Sequence, residues 1–376
     1  MPNKLRRAVG GVAVALALSV PPAFAASATL NETGSTLLYP LFQSWIAGYK
    51  SAAPGVDVTA AATGSAAGNQ AAIAGTARIG ASDAYLSDEV AAQNPAILDI
   101  PLTISAQTIN YNLPGLNGAN IKLDGPTIAG IYKGAITEWD DPAIKAMNPG
   151  VALPHATIVP VHRADGSGTT FVFTQFLDFA TASSEDNNSY DDETVVLPTG
   201  PAKKTESWED NPGYGETVAW PVVAGEKTGV GSDGMLQAIA TTPYSIGYLG
   251  TSYAARITKA GLGTAMIENQ AGKFLLPTAQ SIADAAAQLD PRTPDYERIS
   301  LVFAPGNDSY PLINYEYAVV AKSQPDAATA GALRAFLQWA ISQTGGNSQS
   351  YLAPVGFIPL PDFIRGLSEA QIAAIH

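Results

Sequence analysis

Three short turns constrain this chain more than any other feature in it. N-E-T-G-S-T-L-L-Y sets Gly34, Ser35 and Thr36 just before an amphipathic helix, and T-G-S-A-A-G sets Gly64 and Ser65 before an alanine-rich one. H-R-A-D-G-S-G-T-T-F-V-F sets Arg163, Asp165, Gly166, Ser167, Gly168 and Thr169 between a strand-like run, Ala156 to Val161, and a helical spacing of Phe173, Phe176 and Leu177. A helix start leaves backbone N–H groups unpaired and carries partial positive charge, so it receives an anion readily. Ser167 is placed to cap, and Arg163 offers a fork of donors suited to phosphate or carboxylate. Taken singly, each turn also reads as an ordinary capped helix. Three of them, far apart in the chain, point to a shared ligand that is compact, oxygen-rich and negative.

The rest of the chain fits α/β architecture, because short apolar runs alternate with helix-like segments. Leu38, Leu41, Phe42, Trp45, Ile46 and Tyr49 share one helical face, as do Leu333, Phe336, Leu337 and Ile341. Strand-like runs lie near residue 110 (Q-T-I-N-Y-N-L) and from residue 311 (P-L-I-N-Y-E-Y-A-V-V). The first residues, M-P-N-K-L-R-R, precede an apolar run from Ala8 to Val20 and an A-x-A-like exit ending at Ala25. That is the pattern of a secretory signal peptide over residues 1 to 25, too short in its apolar part to span a bilayer. What remains of the 376 residues exceeds what one core usually organises, so two domains are expected.

Charge narrows the function. The formal net charge is −13, and the leader holds Lys4, Arg6 and Arg7 without an acid, so the mature chain is more acidic still. Such a chain does not attract nucleic acid, and any anion site in it must act locally. The absence of cysteine excludes disulfides, zinc–thiolate sites and a cysteine nucleophile. His155, His162 and His376 show no ligand spacing, so no metal or other cofactor is expected.

Asp83, in R-I-G-A-S-D-A-Y-L-S-D-E, looks misplaced beside an anion until the proton is considered. An ionised carboxylate only accepts hydrogen bonds. Phosphate near neutral pH still carries a proton and can donate to it, whereas sulfate has none and meets repulsion. The plainer alternative is that Asp83 caps a turn before a helix begun by Ser87.

At this point the motifs add up to a family. G-S-T-L-L-Y-P-L-F, A-T-G-S-A-A-G, I-G-A-S-D-A-Y-L-S, W-D-D-P-A-I and H-R-A-D-G-S-G-T-T-F-V-F-T, in that order, resemble the periplasmic phosphate-binding protein (PstS) of the ABC-type phosphate uptake system over essentially the whole mature chain. The resemblance implies a two-lobed α/β periplasmic binding protein (type II, Venus-flytrap) with hinge strands between lobes. Lobe I would comprise 26–104 plus 272–376, and lobe II 105–271. It implies that Thr36, the backbone N–H of Leu37, Ser65, Arg163, Ser167, Gly168 and Thr169 contact inorganic phosphate, and that Asp83 accepts its proton. Asp165 would hold the Arg163 guanidinium, with Ser35 and Gly166 in support. Leu37 departs from the aromatic common at its position, which a backbone contact tolerates. The resemblance further implies a monomer in the periplasm, or secreted, that delivers phosphate to a membrane permease.

Other readings compete. Ser167 could be a hydrolase nucleophile with His162 as its partner, but G-x-S-x-G is not met because Asp165 stands two residues before it. A receptor for another oxyanion is distinguished by Asp83, which disfavours fully deprotonated anions. The acidic 183–194 segment lacks the calcium-loop spacing and reads as a solvated excursion, as does Lys203-Lys204. G-V-G-S-D-G, from Gly229 to Gly234, lacks the strand context of a nucleotide fingerprint and reads as a helix start lining or supporting the cleft.

Overall fold

The computed structural model describes residues 28–181, 208 and 212–376. The expected leader, the 183–194 segment and Lys203-Lys204 lie outside the described residues. Twelve strands occur among those described: β1 (Ala28–Gly34), β2 (Val56–Thr59), β3 (Ile79–Ser82), β4 (Ile97–Tyr111), β5 (Lys122–Leu123), β6 (Val159–Arg163), β7 (Lys227–Gly229), β8 (Ser245–Gly250), β9 (Gly263–Thr264), β10 (Met266–Glu268), β11 (Phe274–Leu275) and β12 (Ile313–Ala321).

Nine of them form one sheet in the order β2-β1-β3-β12-β4-β8-β6-β7, with β9 on β4. At one end β1 runs parallel to β2 and β3; at the other β6 runs parallel to β7 and β8. These two parallel blocks are joined by β4 and β12, which run antiparallel to each other. The long β4 serves both halves: Ile97 to Ala106 pair with β12, and Gln107 to Tyr111 pair with β8. A parallel strand covered by helices on both faces should be apolar or small throughout. β3 (I-G-A-S) and β8 (S-I-G-Y-L-G) are buried at every position. β5, β10 and β11 make a separate three-stranded sheet.

Helices complete each half. In the first, helix Tyr39–Ala52 starts with Pro40 in its first turn, where the missing N–H costs nothing. It buries Leu41, Phe42, Trp45 and Tyr49, and its aromatic face meets helix Ala327–Ile341 through Phe336, 5.0 Å edge-to-face from Tyr49. Trp45 is fully buried, and its Nε1–H donates to the Gly346 carbonyl at 2.9 Å. Trp45→Ala should therefore cost about 3–5 kcal/mol of folding stability, measured by denaturant unfolding. A loss below about 1 kcal/mol would mean that the core does not depend on this ring. In the second half, Phe173 of helix Gly168–Thr181 stacks on Tyr248 of β8 at 4.3 Å between ring centres.

The apolar faces expected at residues 38–49 and 333–341 are where they were placed, except that Ile46 is only half-buried and Leu38 precedes the helix. The strand expected over Ala156–Val161 instead covers Val159–Arg163. Residues 157 and 158 pair elsewhere, Thr157 bridging Glu138 and Ile158 donating to the Thr137 carbonyl at 2.8 Å. The run near residue 110 is the end of the 15-residue β4.

Candidate functional site

Segments from both halves reach one place because two parallel pairs of strands, β1 with β3 and β6 with β7, end there. Gly34 closes β1, Ser82 closes β3, Arg163 closes β6 and Gly229 closes β7, and each runs into a turn and a helix start. The carboxyl ends of parallel strands are where open α/β sheets gather ligands. Thr36, Leu37, Ser65 and Asp83 come from the first half; Arg163, Ser167, Gly168 and Thr169 come from the second. All eight are buried.

Asp83, only 1% exposed, stands at the centre. The Ser35 hydroxyl donates to its Oδ1, and the Thr169 hydroxyl donates to its Oδ2 at 2.9 Å, so the two halves meet on one carboxylate. Its backbone N–H donates to Ser65 Oγ at 3.3 Å, and its carbonyl accepts from Asn314 Nδ2 at 2.9 Å. Burial raises the Asp83 pKa, opposed by the bonds from Ser35 and Thr169, the contact with Glu316 and the charge of Arg163.

Arg163 is held from two sides. Its Nε donates to Asp165 Oδ1 at 2.7 Å and its Nη2 to Oδ2, a two-pronged pair that fixes the guanidinium plane. Its backbone N–H donates to the Tyr248 hydroxyl at 3.1 Å, which is itself bonded to Thr170 Oγ1 at 2.7 Å. The remaining Nη1 reaches across to Thr36 Oγ1 at 3.4 Å. Burial pushes Asp165 up, yet the bonds and charge of Arg163, with the Gly231 N–H at 3.0 Å, outweigh it and leave the carboxyl below its ordinary range.

Helix starts supply the other donors. The Ser167 hydroxyl accepts from the Thr170 N–H at 3.3 Å, as a cap should. Ser65 opens its helix behind Gly64, whose φ of +95° suits glycine and whose added Cβ would lie 2.8 Å from the Gly166 carbonyl. The Leu37 and Leu38 N–H groups both donate to Ser35 Oγ, at 3.1 and 3.0 Å. Gly168 lies so close to the opposite half that a Cβ there would sit 2.7 Å from Ser65 Oγ and 2.8 Å from Asp83 Cβ.

The chain was next compared with known proteins. Residues 20–344 match the model of the PBP superfamily domain. A protein of Pasteurella multocida named phosphate-binding protein PstS is 30% identical over 343 residues, covering 91% of this chain and 89% of that one. The chain belongs to the PstS family. Phosphate-binding protein PstS 3 of Mycobacterium leprae is 32% identical over 361 residues, with 92% and 87% of the two chains covered. The crystal structure of a phosphate binding protein from Stenotrophomonas maltophilia superposes with a TM-score of 0.64 at 19% identity, covering 91% and 93%. That likeness shows the two-lobed binding-protein fold.

Against this family background, the site contains further residues, of which the G-V-G-S-D-G turn was expected at the cleft and the others were not. Ser232, from the G-V-G-S-D-G turn, donates its N–H to Thr36 Oγ1 at 3.1 Å, and the two hydroxyls lie 2.7 Å apart. Asn69 Nδ2 donates to Glu216 Oε1 at 3.1 Å, and the Glu216 carbonyl caps the Ser167 N–H at 2.9 Å. Burial, then the charge of Asp83, raises Glu216 to a pKa of about 7. Glu316 touches Asp83 and takes a bond from Ser105 Oγ. A lone charge inside the apolar run of β12 was the available signal for Glu316. A cavity of about 180 Å³ beside Thr36, Asp165, Ser232 and Tyr253 adjoins the cluster. His162 stacks on Trp220 at 4.6 Å, its Nδ1 3.1 Å from the Arg163 carbonyl, rather than serving Ser167. Among the described residues no cluster of His, Cys, Asp and Glu could hold a metal ion.

Proposed function

We infer that this protein binds inorganic phosphate between its two lobes and delivers it to the membrane permease of an ABC-type importer. It is a binding protein and not an enzyme, as the members of its family are. The observation that carries the reading is Asp83, buried where donors of both halves converge.

Arg163 is already matched in charge by Asp165, so an incoming anion gains little from net charge. Aligned N–H and hydroxyl dipoles must hold it: Thr36, the Leu37 N–H, Ser65, and the groups of Ser167, Gly168 and Thr169. Hydrogen bonds to a charged group contribute roughly 1.5–3 kcal/mol each. Several of them, less the cost of association and closure, reach about −8 kcal/mol, a micromolar affinity. Asp83 accepts the proton of the anion, while Ser35, Asp165 and Gly166 support the contacting groups.

The division between lobes is placed inside β4, with 26–104 plus 272–376 as lobe I and 105–271 as lobe II. Closure then shifts with the ligand, because contacts across the cleft exist only when it is shut. The leader is removed after Ala25 on export to the periplasm or exterior, and the protein acts as a monomer. Calorimetric titration of the unfolded, dialysed and refolded protein with inorganic phosphate tests the reading. One saturable site of micromolar or tighter affinity is expected, and no binding heat would end it.

A further inference from the structure

A second acid stands behind Asp83. Glu316 has no exposed surface and lies on β12, whose register with β4 slips by one between Glu316 and Tyr317. On its other side β12 pairs antiparallel with β3, Tyr317 opposite Ser82 and Ala318 opposite Ala81. One step further along that ladder, Glu316 faces Asp83, and the two carboxyl groups are in hydrogen-bonding contact.

Two carboxylates buried in contact cannot both be ionised, so a proton lies between them. Their surroundings decide where it stays. Asp83 receives hydroxyl bonds from Ser35 and Thr169 and faces the Arg163 guanidinium. Among the described residues Glu316 receives one bond, from Ser105 on β4 to its Oε1, while no donor reaches Oε2 and no basic residue acts on it. Burial, then the charge of Asp83, drives the Glu316 pKa well above the usual carboxylate range. Glu216, also coupled to Asp83 through charge, is itself pushed up to a pKa of about 7, by burial first.

We propose that Glu316 is a positioning residue held as a neutral acid, donating its proton to Asp83 so that Asp83 stays ionised and accepts only. A carboxylate has about four acceptor positions. Ser35, Thr169 and Glu316 occupy three in this arrangement, which leaves one for the ligand. Were the proton on Asp83 instead, Asp83 could donate to a fully deprotonated anion, and its preference for a protonated one would be lost. The selectivity of the site thus rests on a hydrogen atom two groups away from the anion, an inference that stands on the functional reading above.

The test uses the full mature chain as wild type, Glu316→Gln and Glu316→Met, each titrated with phosphate and with sulfate. Glu316→Met removes the donor and should weaken phosphate binding about tenfold or more while narrowing the phosphate-to-sulfate ratio. Glu316→Gln keeps a neutral donor and should restore that ratio. The infrared difference spectrum of wild type minus Glu316→Gln should show the carbonyl stretch of a neutral carboxylic acid, and this arm stands even if Glu316→Met fails to fold. A carboxylate band in that spectrum, or an unchanged ratio in Glu316→Met, overturns the proposal. Absence of phosphate binding by the wild type would instead overturn the functional reading, so the two failures are separable.

Discussion

Gly168→Ala is expected to weaken phosphate binding by about 5- to 150-fold while leaving the fold as stable as before. The added Cβ would sit 2.7 Å from Ser65 Oγ, 2.8 Å from Asp83 Cβ and 2.9 Å from the Asp83 backbone nitrogen. The last two belong to fixed parts of the opposite half, so closure must stop short or force a shift. Overpacking of this kind costs about 1–3 kcal/mol. Gly168 is the first residue of its helix, where alanine is the better helix former by up to about 1 kcal/mol. The penalty therefore falls on the closed form, which separates it from a general loss of stability. Calorimetry beside a thermal melt reads both effects. Wild-type affinity in this variant would mean that the closed arrangement is not the form that binds.

Arg163→Ala should be more severe. Asp165 then loses both bonds to the guanidinium and keeps the Gly231 N–H as its remaining partner from that side. A second anion arriving beside it meets repulsion where the wild type offers charge balance. Removing one member of a buried, hydrogen-bonded ion pair at a binding surface costs about 2–5 kcal/mol, or roughly 30- to 4,000-fold in affinity. Titration with phosphate checks it, and an unchanged curve would remove Arg163 from the site. Because Nη1 also touches Thr36 across the cleft, Arg163→Lys should not restore full affinity.

The groups proposed to contact the anion could be picked out because each lies in a local pattern. Glycine beside a hydroxyl before a helical spacing marks a helix start, and three such patterns mark three helix starts whatever the rest of the chain does. Asp83 was legible as an anomaly, an acid where donors were expected. Glu316 and Asn314 were not, because their partner Asp83 lies about 230 residues away and only the strand order brings them together; Ser232 was legible as part of the turn expected to line or support the cleft, though not as the partner of Thr36. β4 hid for a different reason. Asp99 and Pro101 interrupt its apolar run, and only its last residues read as a strand. Tertiary context resolves both: Asp99 accepts from the Leu86 N–H at 3.2 Å, and the Pro101 carbonyl accepts from Ser368 Oγ at 3.2 Å.

Membership of the family settles what kind of protein this is, while the selectivity rests on particular atoms. On the proposed reading, Asp83 is the site group that distinguishes a tetrahedral anion with a proton from one without. Polar matching of this kind can reach ~10⁴ in discrimination, since the wrong ligand leaves a buried charge unpaired against it. The most direct measurement is calorimetric titration of the same phosphate-free preparation with phosphate and with sulfate at neutral pH. Phosphate should bind at least about 10³-fold more tightly than sulfate. Equal affinities, or tighter sulfate binding, would contradict the claim that Asp83 reads the proton of its ligand.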